Sequence, residues 1–160
     1  MSQWPEAVER VAAVLRVGAV DATVQEFAQG TPTAEAAARA IGCGLEQIVK
    51  SVVFVCNGEY VLALIPGDRR ADERKVATEM GARQIRVATA EEVVEATGFE
   101  PGAVAPFPRR EVVAALIERT LLQHPEVWIG AGSPAHMAAL APADLQRLSG
   151  ARTADLTSPR

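Results

Sequence analysis

The stretch Ile48-Val49-Lys50-Ser51-Val52-Val53-Phe54-Val55 is the most apolar part of the chain, and Asn57-Gly58 joins it to a second apolar run, Tyr60-Val61-Leu62-Ala63-Leu64-Ile65. β-Branched and aromatic residues favour an extended backbone. Asn and Gly accept the positive φ angles of a tight hairpin turn. The two runs therefore predict an antiparallel β-hairpin.

Lys50 interrupts this apolar hairpin and needs an explanation. Side chains alternate across a strand, so Lys50 shares one face with Ile48, Val52 and Phe54, and the opposite face carries valines. An ammonium group between two apolar faces needs a polar partner or a path to water. Two interpretations remain open. Lys50 protects a sheet edge from aggregation, or it is the cationic centre of a ligand pocket.

Composition narrows the class of protein. The chain has 160 residues, a net charge of −4 and a pI near 5.3, which predicts one domain over residues 1–160. Generic attraction to nucleic acid or to an anionic membrane does not suit this charge, so a nucleic-acid partner must be recognised locally. The sequence has neither an apolar run of membrane-spanning length nor a signal-peptide pattern, which predicts a cytoplasmic protein with no membrane partner.

Helix and strand signals alternate along the chain, which predicts an α/β (α+β) fold. Helical spacing and capping residues predict helices at 4–15, 33–42, 71–80, 89–98 and 142–148, and alternation predicts strands at 23–27, 84–87 and 126–129. The segment 112–117 fits a strand or a helix. The N-terminal helix, within residues 1–20, is expected to pack on the domain, and residues 157–160 are expected to be frayed.

Two loops are candidate parts of a site. Within residues 99–110, the stretch 99–108 contains three prolines, a glycine and apolar side chains but little charge, which favours an ordered loop that lines a site. The alternative is a rigid connection in which Phe107 fills the core. Gly130-Ala131-Gly132-Ser133-Pro134 follows a predicted strand and could bring backbone amides close to a ligand, although the same spacing also occurs in ordinary tight turns.

Motifs of several enzyme classes are missing from the sequence. It contains no Gly-x-Ser-x-Gly elbow, no phosphate-binding loop ending in Lys and Ser or Thr, and no dinucleotide fingerprint. The cysteines and histidines lack metal-ligand spacing, so no metal and no cofactor are expected. Lys50, the two loops and His136 remain. Such a set could orient a substrate and stabilise negative charge without a protein nucleophile.

The order of the motifs resembles the YbaK/ProX-type aminoacyl-tRNA deacylases, which are similar to the editing domain inserted in bacterial prolyl-tRNA synthetases. The resemblance runs from about residue 23 to residue 156. Its segments are Thr33-Ala34-Glu35-Ala36-Ala37, Gln47-Ile48-Val49-Lys50-Ser51-Val52-Val53-Phe54, Ile65-Pro66-Gly67-Asp68, Thr97-Gly98-Phe99-Glu100-Pro101-Gly102-Ala103-Val104-Ala105-Pro106-Phe107, Ile129-Gly130-Ala131-Gly132 and Leu140-Ala141-Pro142-Ala143-Asp144-Leu145. Glu118 and Pro108 depart from the family pattern, which often has Asp and Gly at these places.

The resemblance implies a mixed, barrel-like β-sheet surrounded by helices. It implies a trans-editing hydrolase that removes a mischarged small amino acid from the 3′ end of tRNA, with the ribose hydroxyl of the substrate taking part in proton transfer. Lys50 is then the catalytic residue. The substrate-binding residues are Gly102, Pro106, Gly130, Gly132, Ser133 and His136.

The expected partner is the 3′ acceptor end of an aminoacyl-tRNA, and a synthetase is a further candidate. Two other functions stay open: a non-catalytic module that binds aminoacyl-tRNA or a synthetase, and an esterase for small acyl compounds. The sequence leaves open the amino acid and the oligomeric state. The size of the pocket would depend on side chains such as Phe27, Val52, Phe99 and Met137 after folding.

Overall fold

A computed structural model describes residues 4–159. The α-helices are α1 Glu6–Val17, α2 Ala34–Ile41, α3 Glu73–Met80, α4 Ala90–Thr97 and α5 Pro142–Ser149, and short 3₁₀ helices cover Leu45–Gln47 and Arg119–Gln123. The strands are β1 Val24–Glu26, β2 Val49–Cys56, β3 Glu59–Pro66, β4 Arg69–Ala71, β5 Ile85–Val87, β6 Ala114–Glu118, β7 Val127–Ser133, β8 His136–Leu140, β9 Arg152–Ala154 and β10 Thr157–Pro159.

The predicted hairpin is confirmed and occupies the middle of the largest sheet. Strands β2 and β3 pair antiparallel from Val49↔Pro66 to Cys56↔Glu59, and Asn57 and Gly58 both have positive φ at the turn. The strand order is β5-β2-β3-β6-β9, with β6 and β9 added in parallel. Residues 114–117 of the ambiguous segment 112–117 therefore belong to a strand, β6, which pairs directly with β3.

The other strands form two smaller sheets. Strands β1, β8 and β7 make an antiparallel three-stranded sheet, and β10 pairs with β4. An isolated parallel bridge between Ile48 and Trp128 links the three-stranded sheet to the start of β2. The mixed α/β class is confirmed. The barrel-like arrangement is not, because the strands of residues 4–159 form three open sheets instead of one closed sheet.

The chain termini are packed on these sheets. Helix α1 buries an apolar stripe of Val8, Val11 and Leu15 in the main core, where each side chain contributes about 1.5–3 kcal/mol. At the other end, Thr157–Pro159 is a strand. The prediction that the chain is frayed here is therefore wrong for residues 157–159. Its pairing with β4 satisfies backbone groups that a free tail would leave to water. Residues 1–3 and 160 lie outside the described part of the chain.

The loop of residues 99–110 is ordered without regular secondary structure. Phe99, Ala105 and Phe107 are buried in the main core, which holds the loop at both ends. Phe107 therefore fills the core, as one interpretation has it, while Gly102 and Val104 of the same loop line a cavity, as the other expects. Removing a phenyl ring from such a position costs about 3–5 kcal/mol.

A buried carboxylate connects β6 to the C-terminal segment. Glu118 is 1% exposed, and its Oε1 and Oε2 accept hydrogen bonds from the amides of Leu156 at 2.9 Å and Thr120 at 2.8 Å. Burial alone would raise the pKa of Glu118, but the two amide donors outweigh it, so the pKa lies below its ordinary value. Glu118 is thus an ionised structural residue.

None of the helices within residues 4–159 combines the length and the apolar character that a membrane crossing needs.

Candidate active site

A cavity of about 350 Å³ lies beside the first residues of β2. Helix α2 and the segment before it, the start of β2, the loop after α4 and strands β7 and β8 together enclose it. We call it the first cavity. Its lining residues are Thr31, Pro32, Thr33, Ala34, Glu35, Ala37, Ile48, Val49, Lys50, Ser51, Gly67, Gly102, Val104, Gly130 and Met137.

The sheet leaves room for this cavity because β2 is paired unevenly. Strand β3 pairs with β2 along its whole length, whereas β5 on the other side reaches only Phe54–Cys56. Between the Ile48–Trp128 bridge and the Phe54–Val87 pair, no strand in the described part of the chain pairs with this edge of β2. Backbone and side chains around Lys50 therefore face open space instead of a neighbouring strand.

Lys50 is half-buried, and its ammonium group is held in place. Its Nζ donates a hydrogen bond to the backbone carbonyl of Arg69 at 2.7 Å, across the hairpin from β2 to β4. Lys50 lines the first cavity and also a neighbouring one. It therefore combines the two requirements of a buried cation, a polar partner and access to a solvent-filled space.

The amino-terminal turn of α2 forms another wall of the first cavity. Thr33 is the N-cap, as predicted, and its Oγ1 accepts a hydrogen bond from the Ala36 amide at 3.1 Å. Glu35 on the same turn also lines the cavity, and the positive end of the helix dipole favours its negative charge. The cavity therefore has one acidic and one basic side chain in its wall.

Two of the predicted glycines lie in the cavity wall. Gly102 has φ +83°, and a Cβ built on it would meet no heavy atom within 4 Å. Gly130 lies inside β7, where a Cβ would come within 3.2 Å of the Val104 carbonyl oxygen. Both residues keep side-chain volume out of the cavity, and Gly130 also allows the loop after α4 to approach β7.

The other predicted site residues lie outside this wall. Pro106 is a buried residue of the loop of residues 99–110 and does not line the first cavity. Gly132 has φ +99°, and a Cβ there would lie 2.6 Å from the Ala7 carbonyl oxygen, so it allows α1 to pack on β7. The predicted glycine turn is itself part of β7, which runs to Ser133 with a bulge after Gly130. The turn comes later, at residues 134–135.

His136 and Ser133 contact each other at the end of the β7–β8 hairpin. The Ser133 hydroxyl and His136 Nδ1 are hydrogen-bonded, and His136 Nε2 lies 3.4 Å from a carboxylate oxygen of Glu26. The Trp4 ring packs edge-on against the imidazole at 5.2 Å between centroids. His136 is 4% exposed and is enclosed by protein, although its buried Nε2 has no hydrogen-bond partner within residues 4–159.

A second cavity of about 510 Å³ lies on the other side of Lys50. It has an apolar floor and a charged rim. Its lining residues are Lys50, Val52, Phe54, Ile65, Arg69, Arg70, Ala71, Glu73 and Val87.

Sequence reasoning singled out some of the residues that line the two cavities and not others. Glu35 and Thr31 were not singled out, although Glu35 lies in one of the motif segments that carry the resemblance. Met137 and Val52 do line cavities, one each. Phe99 is a core residue under the Arg10 guanidinium. Within residues 4–159, no three His, Cys, Asp or Glu side chains lie close enough together to hold a metal ion.

Comparison with known families defines the class of this fold and cavity. Residues 28–148, more than half of the chain, match the model of the aminoacyl-tRNA editing domain. The chain belongs to the aminoacyl-tRNA editing domain family.

The curated relatives include proline–tRNA ligases of two bacteria. Proline–tRNA ligase of Staphylococcus aureus (strain JH1) is 29% identical over 115 residues, and that of Xanthomonas axonopodis pv. citri (strain 306) is 31% identical over 123 residues. These matches cover 69% and 76% of this chain, which spans about a fifth of the length of the ligases: 20% and 22%.

Solved structures match over nearly the whole chain. A crystal structure of a protein put forward as a trans-editing enzyme for prolyl tRNA synthetase is 36% identical, with a TM-score of 0.90 over 98% of this chain and 99% of the other. A crystal structure of a hypothetical protein is 27% identical, with a TM-score of 0.87 over 93% of this chain and 99% of the other.

Proposed function

We propose that this chain is a trans-editing aminoacyl-tRNA deacylase, which hydrolyses the ester between a mischarged small amino acid and the 3′ end of tRNA. The observation that carries the proposal is the position of Lys50 in the wall of a small cavity, in a chain of the aminoacyl-tRNA editing family. The first cavity, with Gly102 and Gly130 in its wall, receives the amino acid.

Lys50 is the proposed catalytic residue. An aminoacyl ester is already activated, so the reaction needs a placed water molecule and a positive charge where the carbonyl oxygen becomes an oxyanion. Water adds to the ester carbonyl, the bond to the ribose oxygen breaks, and that oxygen takes up a proton. The substrate's neighbouring ribose hydroxyl takes part in the proton transfer. The Lys50 ammonium stabilises the oxyanion throughout.

Glu35 gives the first cavity a preference for an aminoacyl group over other acyl groups. An aminoacyl ester carries an α-amino group that is cationic when protonated, two bonds from the carbonyl carbon. With Glu35 and Lys50 in the same wall, the α-ammonium group meets a carboxylate while the carbonyl oxygen meets an ammonium. This arrangement orients the ester by charge at both ends.

In this proposal, the remaining predicted site residues support the site by packing and do not contact the substrate. Pro106 fixes the loop that carries Gly102, and Gly132 allows α1 to pack on β7, whose Gly130 lines the cavity. Ser133 and His136 hold the end of the β7–β8 hairpin. We place the protein in the cytoplasm with the tRNA 3′ end as its partner, and a synthetase as a second partner that could deliver the tRNA.

A panel of mischarged tRNAs tests the proposal. Ala, Ser, Thr, Cys and Pro attached to tRNA are each incubated with the full chain, and release of the amino acid is followed over time. We expect rapid release of at least one small amino acid. An unchanged panel alongside a measurable tRNA complex would favour a non-catalytic binding module, and turnover of simple esters with the charged tRNAs intact would favour an esterase.

A further inference from the structure

The second cavity meets the first at a single side chain. Lys50 lines both, and its hydrogen bond to the Arg69 carbonyl holds its ammonium group beside β4, which forms one side of the second cavity. The two cavities are therefore neighbours, with Lys50 in the wall of each. An ester at Lys50 would have its acyl part on one side and its alcohol part on the other.

The rim of the second cavity is basic, although the chain as a whole is acidic. Lys50, Arg69 and Arg70 contribute three positive charges and Glu73 one negative charge, which leaves two positive charges. Lys75, Arg86 and Arg152 by contrast form ion pairs with carboxylates. Neither Arg69 nor Arg70 forms an ion pair with any residue between 4 and 159.

The apolar part of the second cavity is also unusual for a surface. Val87 at the end of β5 is 53% exposed and lines the cavity together with Val52, which is half-buried. Two partly exposed valines next to Arg69 and Arg70 suit a ligand with a flat apolar group and a phosphate. A nucleotide has both, and the volume of about 510 Å³ lies in the range of small-molecule sites.

We propose that the second cavity binds the 3′-terminal nucleotides of the tRNA, with a phosphate at Arg69 and Arg70 and a base on Val52 and Val87. This inference rests on the proposed function. The terminal ribose then lies at Lys50, and the ester enters the first cavity. The local basic site also answers how a chain with a net charge of −4 binds a polyanion.

Binding of the dinucleotide cytidylyl-adenosine tests the site without any reaction. The variant is Arg69→Gln with Arg70→Gln, and the matched control is Arg39→Gln with Arg83→Gln, which removes the same charge from exposed positions outside both cavities. We expect the Kd for the dinucleotide to rise at least about tenfold in the first double variant and less than about twofold in the control. The salt dependence of binding should also weaken only in the first.

A second pair of variants tests the apolar contact. Val87 and Val113 are 53% and 52% exposed, and only Val87 lines the second cavity. Val87→Ser should weaken dinucleotide binding by several-fold, whereas Val113→Ser should not change it. Equal binding by the wild type and both cavity variants would overturn the inference.

Kinetics separate this inference from the proposed function. With mischarged tRNA, Arg69→Gln with Arg70→Gln should raise KM at least about tenfold, with a smaller effect on kcat. Active wild type with an unaffected double variant would overturn the nucleotide site alone. Inactive wild type with Arg-dependent dinucleotide binding would overturn the deacylase function and support the site.

Discussion

Gly102 and Gly132 have similar backbone angles and opposite surroundings. Their φ angles are +83° and +99°, but a Cβ on Gly102 would meet open space, whereas a Cβ on Gly132 would meet the backbone of α1. Gly102 lines the first cavity and Gly132 lies in a contact between a helix and a strand. A glycine with positive φ can thus lie beside an open cavity or at a close contact between a helix and a strand.

Lys50 and His136 also have contrasting surroundings. Lys50 is half-buried and lines two cavities, while its ammonium group is held by a backbone carbonyl. His136 is almost completely buried, and Ser133, Glu26 and Trp4 surround its ring. We infer that the lysine region carries the reaction and that the end of the β7–β8 hairpin supports the fold. The following predictions test this division.

Removal of the Lys50 ammonium should have the largest effect. Lys50→Ala is expected to lower kcat/KM for deacylation at least about a hundredfold, because the loss of an oxyanion-stabilising donor costs about 3–4 kcal/mol of barrier. Single-turnover deacylation measures this. Thermal unfolding serves as the control, since the fold should be kept. Near-full activity in a folded Lys50→Ala protein would refute the assignment.

Alanine at the two glycines should separate packing from ligand access. Gly132→Ala is expected to lower the free energy of unfolding by about 3 kcal/mol or more, because its Cβ overlaps the Ala7 carbonyl and its φ is positive. Gly102→Ala has only the backbone strain and should cost about 1 kcal/mol. Urea unfolding of both variants gives the two values. Similar losses at both positions would remove the distinction.

The stability that Glu118 provides should depend on pH. Its pKa in the folded state lies below the ordinary value of 4.5, so its contribution is present above that value and is lost as pH falls through the lowered folded-state pKa. Glu118→Gln should cost about 2 kcal/mol at pH 7. The difference between wild type and variant should shrink in acid. Urea unfolding at several pH values across this range measures the difference in free energy of unfolding. A difference that stayed constant would contradict the assignment.

Neutralising Glu35 should weaken substrate binding more than catalysis. Glu35→Gln is expected to raise KM for the mischarged tRNA about five- to tenfold with a smaller change in kcat, because the α-ammonium group loses its carboxylate partner. Glu91→Gln is the matched control, since Glu91 also lies in the first turn of a helix, α4, and lies outside both cavities. Equal kinetic effects in the two variants would argue against a contact with substrate.

Replacement of His136 should have the smallest effect on the reaction. His136→Gln is expected to lower the thermal midpoint, since a buried ring and its bond to Ser133 are lost. The deacylation rate of the folded protein should stay within about twofold of wild type. A tenfold loss in a fully folded variant would bring the end of the hairpin into the site.

Local signals in the sequence predicted much of the fold. The β2–β3 hairpin, the Thr33 cap and the capping box at Thr89 follow from neighbouring residues, and all three are confirmed. Long-range pairing was harder to predict. Strand β6 lies in the segment 112–117, whose residues fitted a strand or a helix, and its pairing with β3 decides between them. The barrel-like sheet was wrong because three open sheets divide the strands.

The site was predictable only in part for the same reason. A lysine between apolar strands is visible in the sequence. The position of Glu35 beside the first cavity, in contrast, depends on where α2 lies against β2. The direction of the His136 side chain depends on the register of β8. Met137 next to it lines the first cavity, while His136 itself contacts Trp4 and Ser133.

The most direct test of the central claim is an amide chemical-shift titration with an aminoacyl-adenosine analogue in which an amide replaces the ester. Glycine amides report on both regions, because Gly102 and Gly130 line the first cavity and Gly132 lies where α1 packs on β7. We predict that the largest shifts occur at Lys50, Ser51, Gly102 and Gly130, with little change at Gly132 and His136. Large shifts at Gly132 and His136 with none around Lys50 would contradict the account.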